Sequence, residues 1–245
     1  MYPKISFITV VYNDKEGLSR TLKNLCEAHY PAKELVVVDG GSTDGSVEVA
    51  SQWAHAISYY VSERDGGIYD AMNKGIAAST GRFLWFVNAG DTIENIEVLQ
   101  SYFATDNYLA DIYYGDTLIV NEQGEELGLR RKPLPEKLTL GEFKNGMVIC
   151  HQSFVMRRSL APKYDTRYLY SADYKWMMEC VRRAKSAINV HSVLSRFETG
   201  GATTANHKKS LRERFRIMRA TFGLFTTLCY HLKFTFNALF MPRYR

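Results

Sequence analysis

The sequence predicts an α/β fold in which a mostly parallel sheet is flanked by helices. Three observations carry this prediction. Short β-branched apolar runs are continuous rather than alternating, as in strands buried on both faces. Segments with helical spacing separate them. Polar, glycine-containing loops recur where these runs end, the edge at which ligands bind in open α/β sheets.

The elements follow in order. Residues 4–11 form the first run, and Leu18, Leu22 and Leu25 continue as a helix that Pro31 stops. Leu35 to Val38 is a second strand, ending in Asp39-Gly40-Gly41-Ser42-Thr43-Asp44-Gly45, after which Val47, Val49, Ala50 and Trp53 suit a helix. Ile57 to Val61 is a third strand before Asp65-Gly66-Gly67, and Tyr69 to Ala77 is helical. Phe83 to Val87 makes a fourth, ending at Asn88-Ala89-Gly90-Asp91. Beyond it, 112–120 and 125–130 read as strands around a turn at 121–124, and Pro133 and Pro135 mark a linker. A strand region at 147–157, a helix over 172–184 and a strand at 187–197 complete the main body. The expected division is 1–205 as one domain, with halves 1–105 and 106–205, followed by a helical tail, 206–245.

With 46% apolar and 23% charged residues among 245, the chain has the composition of a globular protein with a buried core. The widely spaced Cys26, Cys150, Cys180 and Cys229 contain no CxxC pair and suggest free thiols rather than a zinc knuckle or disulfide framework. The opening apolar run is too short for a signal-peptide core. Charge is uneven: residues 206–245 hold nine Lys/Arg against Glu213, +8, which leaves −3 for the rest of a +5 chain. A mildly acidic body with a basic tail argues against nucleic acid and for a localised anionic partner.

The loop residues suit a substrate with a base, a ribose and a diphosphate. Asp39, ending a buried strand, is placed to accept from a base N–H or a ribose hydroxyl, and Gly40 and Gly41 allow close backbone approach. The same loop also reads as a turn in which Ser42 or Thr43 caps the next helix. Asp91 ends another strand and could reach a divalent ion, Mg²⁺ or Mn²⁺, which takes one or two protein oxygens and fills its shell with phosphate and water. It could equally cap a helix near Ile93. The glycines after Asp65 admit either a donor-site role or tight packing. His151-Gln152 could touch acceptor or diphosphate, with His151 also an eligible metal ligand but more simply a structural histidine, and Arg157-Arg158 could bind diphosphate. The turn at Gly200-Gly201 is a last candidate for diphosphate.

Taken together, Ile8-Thr9-Val10-Val11-Tyr12-Asn13, Val37-Val38-Asp39-Gly40-Gly41-Ser42-Thr43-Asp44-Gly45, Asp65-Gly66-Gly67-Ile68-Tyr69-Asp70-Ala71-Met72-Asn73-Lys74-Gly75, Gly81-Arg82 and Asn88-Ala89-Gly90-Asp91 resemble family 2 glycosyltransferases of GT-A fold. The closest likeness is to the branch found in bacterial exopolysaccharide and colanic-acid-type clusters. The resemblance implies Thr9 and Tyr12 at the nucleoside, Asp39 at the base or ribose, Asn73 and Arg82 near the nucleotide, and Asp91 as the metal-binding aspartate. Gly90 departs from the pattern, standing where many members carry a first Asp. The family places its general base at the start of a helix, which points to Asp173; in the first turn, Asp173 could instead complement the helix dipole.

The implied activity is inverting transfer from a nucleotide sugar, UDP-sugars favoured, to a lipid-linked or oligosaccharide acceptor in cell-surface polysaccharide synthesis. A sugar-phosphate nucleotidyltransferase would open with a Gly-rich, Arg-containing loop, which residues 11–16 are not. A nucleotide-sugar-binding protein without catalysis is the other alternative. In the tail, Leu211, Phe215, Met218 and Phe222 share one helical face, followed by the largely apolar 222–240. This suits a peripheral anchor on the anionic inner face of the plasma membrane, or else a helix that closes the core.

Overall fold

The computed structural model describes residues 2–105, 110–121, 123–199 and 206–240. Four parallel strands open the chain: β1 (Ile5–Val11), β2 (Lys33–Asp39), β3 (Ile57–Ser62) and β4 (Phe83–Phe86), ordered β3-β2-β1-β4. The helices between them are α1 (Lys15–Glu27), α2 (Ser46–Gln52) and α3 (Ile68–Ala78). Register pairs Val11 with Asp39 and Asp39 with Ser62, so the carboxyl ends of three strands form one edge.

The second half mixes parallel and antiparallel pairing. β5 (Thr92–Ile93), β6 (Ile112–Val120), β7 (Glu126–Leu129), β8 (Phe154–Arg157) and β9 (Ala187–Glu198) extend the sheet through β4-β8-β6-β9-β5, with β7 beside β6 in the expected hairpin. Here β6 and β9 are parallel, while β8 is antiparallel to both β4 and β6. β8 is also shorter than the predicted 147–157, because residues 151–153 form a 3-10 turn that points His151 and Gln152 out of the strand path.

Alternation along β1 and β4 explains the two layers. Ile8, Val10, Leu84 and Phe86 pack with α3, with Trp176 and Met177 of α5 (Ala172–Arg183), and with Ile217 and Met218 of α6 (His207–Phe222). Ile5, Phe7, Phe83 and Trp85 face Leu25 of α1 and Leu99 and Phe103 of α4 (Ile96–Thr105) on the other side. Gly75 is what lets α3 lie close on β1, since a Cβ there would fall 2.4 Å from Cγ2 of Ile8.

The tail keeps part of the predicted face, with Met218 buried and Phe222 packed on the core, and loses Leu211 from it. Leu211 is 45% exposed, whereas Ile217 and Met218 are each 1% exposed. The core side of α6 is completed by polar groups: Ser210 Oγ lies 3.0 Å from Ser171 Oγ, and Glu213 accepts from the backbone N–H of Leu169 and Tyr170, both at 2.9 Å. Hydrophobic spacing finds Met218 and Phe222 on this face but misses Ser210 and Glu213, whose anchors are hydrogen bonds. α6 therefore closes the core rather than lying free. The final helix, α7 (Leu224–Phe240), keeps Leu224, Phe225, Leu228 and Leu232 exposed. Among the described residues no helix is long and apolar enough to cross a membrane.

Candidate active site

The loops after β1 and β2 are clamped together at the sheet edge. Asn13, in the left-handed region at φ 51°, donates its N–H to Ser42 Oγ at 2.8 Å, and its Oδ1 accepts from Thr43 N at 2.8 Å. Asp39, 1% exposed, accepts from Ser42 N at 3.1 Å and from the hydroxyls of Ser42 and Ser62. Its carboxylate thus both ends the strand and braces the loop, but neither Ser42 nor Thr43 caps α2, whose N-cap is Gly45. Beside it, a Cβ on Gly40 would lie 2.7 Å from Asp65 Oδ2 and 3.3 Å from the Tyr12 ring. Tyr12, 67% exposed, Asp65 and Gly40 therefore form one open cradle over Asp39.

Three other predicted residues lie elsewhere. Thr9 is buried on the Val11 face of β1, and its hydroxyl has no hydrogen-bond partner. Asn73 spends both ends of its amide on Tyr164, donating to its carbonyl at 3.0 Å and accepting from its N–H at 2.7 Å. Arg82 precedes β4, at the amino end of the strands and so on the opposite edge of the sheet. Arg157 and Arg158 share that far edge, the first paired with Asp111 at 2.7 Å and the second donating to Gly81 O at 2.9 Å. Gly200-Gly201 lies outside the described residues.

Asp91 and Asp173 line one cavity of about 740 Å³. Asp91 is 4% exposed and accepts from Gln152 Nε2 at 2.7 Å and from the N–H of Glu198 at 3.1 Å. Burial pushes its carboxyl up to about 7, against the pull of these two donors. Gly90, at φ 91°, points the absent side chain toward β9: a Cβ there would meet Glu198 Oε2 at 3.4 Å. A second carboxylate thus stands beside position 90, supplied from β9 and paired with Arg20. Sequence reasoning offered Gln152 beside His151 as an acceptor or diphosphate contact rather than as a partner of Asp91, and it missed Glu198; the two lie 61 and 107 residues from Asp91.

In the same cavity, Asp173 sits in the first turn of α5. Its Oδ1 accepts from Tyr69 Oη at 3.1 Å and from Tyr174 N at 2.8 Å, while Oδ2 makes no hydrogen bond among the described residues. His151 is 4% exposed, 2.6 Å from Tyr164 Oη and packed against Phe86 and Trp176, and burial lowers its pKa to about 4. It is a neutral member of an aromatic wall. Arg130 and Arg214 complete the lining, the latter from α6.

Among the described residues no three His, Cys, Asp or Glu groups cluster as a metal site. The two carboxylates Asp91 and Glu198 nevertheless fit a Mg²⁺ or Mn²⁺ ion that takes its other ligands from a diphosphate and water.

A polar cradle at the carboxyl edge of an α/β sheet and two carboxylates lining one cavity are the features of an enzyme site. The chain belongs to glycosyl transferase family 2, whose model matches residues 6–164. It is 32% identical over 208 residues to an uncharacterized glycosyltransferase of Mycobacterium tuberculosis, covering 81% of this chain and 76% of that protein. It is 30% identical over 189 residues to a PGL/p-HBAD biosynthesis glycosyltransferase of Mycobacterium bovis, covering 73% and 70%. Among solved structures, S. aureus TarS 1-349 in complex with UDP-GlcNAc superposes with a TM-score of 0.68 at 18% identity, covering 89% of this chain and 65% of that one. The mannosyltransferase PcManGT from Pyrobaculum calidifontis, in complex with GDP-Man and Mn²⁺, gives 0.64 at 17% identity, covering 88% and 64%. The chain is thus a glycosyltransferase of GT-A-like fold.

Proposed function

We propose that the protein is an inverting transferase that moves a sugar from a nucleotide sugar, UDP-sugars favoured, to a lipid-linked saccharide in cell-surface polysaccharide synthesis. The observation that carries this reading is Asp173, held at one oxygen and open at the other, in the same cavity as Asp91. Tyr12, Asp39 and Asp65 cradle the nucleoside. Asp91 and Glu198 hold the divalent cation, which when bound neutralises charge developing on the leaving diphosphate.

Asp173 Oδ2 takes the proton of the acceptor hydroxyl as that oxygen bonds to the anomeric carbon. The carbon–oxygen bond to the diphosphate breaks on the opposite face, and the electron pair leaves with the nucleoside diphosphate. The neutral His151 wall and the aromatic rings behind it limit water at the reacting centre. The exposed α7 stripe and the basic tail support attachment to the inner face of the plasma membrane, where a lipid-linked acceptor resides.

The test is Asp173→Asn, assayed for sugar transfer and for UDP binding with Mn²⁺. Transfer falls by roughly 10²- to 10⁴-fold while UDP affinity holds. Full transfer by this variant would overturn the base assignment. UDP binding without nucleotide release in the wild-type protein, with lipid-linked acceptors present, would favour a non-catalytic binding protein instead.

A further inference from the structure

Behind the main cavity the basic side chains converge. Lys132 donates to the Asn145 carbonyl and Lys233 to Asn145 Oδ1 at 3.1 Å, and the Lys132 ammonium lies 5.0 Å from the centre of the Phe234 ring. With Arg131 they line a second cavity of about 360 Å³, shared with the single carboxylate Glu142. Residues 130–131 and 147–148 form the wall between the two cavities, because Arg130 and Met147 face the first while Arg131 and Val148 face the second.

On the first side, Arg130 Nη2 donates to Met147 O at 2.7 Å, and the buried Nε of Arg214 has no hydrogen-bond partner. Arg131, Lys132, Arg214 and Lys233 make no ion pair among the described residues. Packing cations this way costs electrostatic repulsion that an incoming anion would relieve. Lys132 registers that repulsion: burial, then Arg130, Arg214, Arg131 and Lys233, hold its pKa down to about 7.

Asp173 lies in the first cavity on one side of the cluster. On the other side, α7 carries Lys233 and Phe234 into the second cavity and leaves Leu224, Phe225, Leu228 and Leu232 exposed at 49%, 81%, 47% and 73%. A carboxylate, a cation cluster and an exposed apolar stripe are the three chemistries that the sugar, phosphate and hydrocarbon of one amphiphile would meet.

We propose that Arg131, Lys132 and Lys233, backed by Arg130 and Arg214, bind the phosphate or diphosphate of a lipid-linked acceptor, with its hydrocarbon along the exposed face of α7. This rests on the acceptor being lipid-linked, as argued above, and adds the site and the chemistry that recognise it. Guanidinium and ammonium groups are suited to phosphate oxygens, where charge-assisted hydrogen bonds are strongest.

The experiment uses the full chain and isothermal titration with three probes: geranyl diphosphate, inorganic pyrophosphate, and UDP with Mn²⁺. Geranyl diphosphate binds more tightly than pyrophosphate, and the double variant Lys132→Gln/Lys233→Gln weakens it by at least roughly tenfold. UDP affinity stays within about twofold in that variant, since these lysines lie outside the donor cradle. Lys233→Glu, a change at an exposed helix position that leaves the core untouched, weakens geranyl diphosphate further than Lys233→Gln. Undiminished geranyl diphosphate binding in both the double variant and Lys233→Glu overturns the proposal. Pyrophosphate binding as tightly as geranyl diphosphate overturns its lipid part, leaving a site for soluble phosphate. Failure of UDP to bind the wild-type protein would instead count against the transferase reading, so the two failures are distinguishable.

Discussion

Replacing Glu213 with Ala tests whether the tail helix is part of the enzyme's working body. Glu213 reaches from α6 to the chain just before α5 and accepts two backbone N–H groups at 2.9 Å each. Hydrogen bonds to a charged acceptor are worth about 1.5–3 kcal/mol apiece. Leu169 is 56% exposed, so water replaces its partner at little cost, and only the part-buried Tyr170 bond is lost in full. The expected destabilisation is therefore about 2 kcal/mol. For a chain of this size that lowers the melting temperature by roughly 4–8 °C. Calorimetry on wild type and variant measures it. The same substitution loosens the segment leading to Asp173 and the helix carrying Arg214, so the acceptor KM rises while UDP affinity stays unchanged. A variant melting within about 1 °C of wild type, with an unchanged acceptor KM, would refute the view that α6 forms a wall of the site.

Other expectations follow from particular contacts. Glu34 is buried, and although burial alone would raise its pKa, hydrogen bonds from Lys4, Ser6 and Thr80 hold it at about 2, below its ordinary 4.5. A depressed carboxylate stabilises the fold fully above its ordinary value and loses that contribution as pH falls from 4.5 to 2. The loss amounts to about 3 kcal/mol, and denaturant titrations across that window should flatten in Glu34→Gln; an unchanged slope would exclude the network. Gly75→Ala forces a Cβ to within 2.4 Å of Ile8 Cγ2 and should cost about 1–3 kcal/mol, read as a shift in denaturation midpoint. Glu198→Gln should weaken Mn²⁺ binding to the UDP-loaded protein by roughly tenfold, measured by Mn²⁺ electron paramagnetic resonance. Equal Mn²⁺ affinity would remove Glu198 from the cation site. Gly90→Asp should not compensate for that loss, because φ 91° strains any side chain there by about 1–3 kcal/mol.

Sequence alone determined the parts in which neighbours in the chain are neighbours in space. Continuous apolar runs specify strands buried on both faces, and parallel pairing puts the loops after them on one edge. Asp39, Tyr12 and Asp65 were therefore legible as a cluster, and Asp173 as a first-turn residue of α5. Spacing could not distinguish motif residues that face ligand from those that hold the frame. Asn73 clamps Tyr164, Gly75 seats α3 on β1, and Arg82 starts its strand at the far edge. Only the tertiary structure decided which distant side chains complete the cavity. Gln152 and Glu198 on Asp91, and Arg214 in the cavity lining, come from segments whose local pattern says nothing about where they dock. The same holds for α6, whose buried face depends on Ser210 and Glu213 finding partners on another element. Apolar periodicity is set by local burial, but a hydrogen bond between elements exists only once both have been placed.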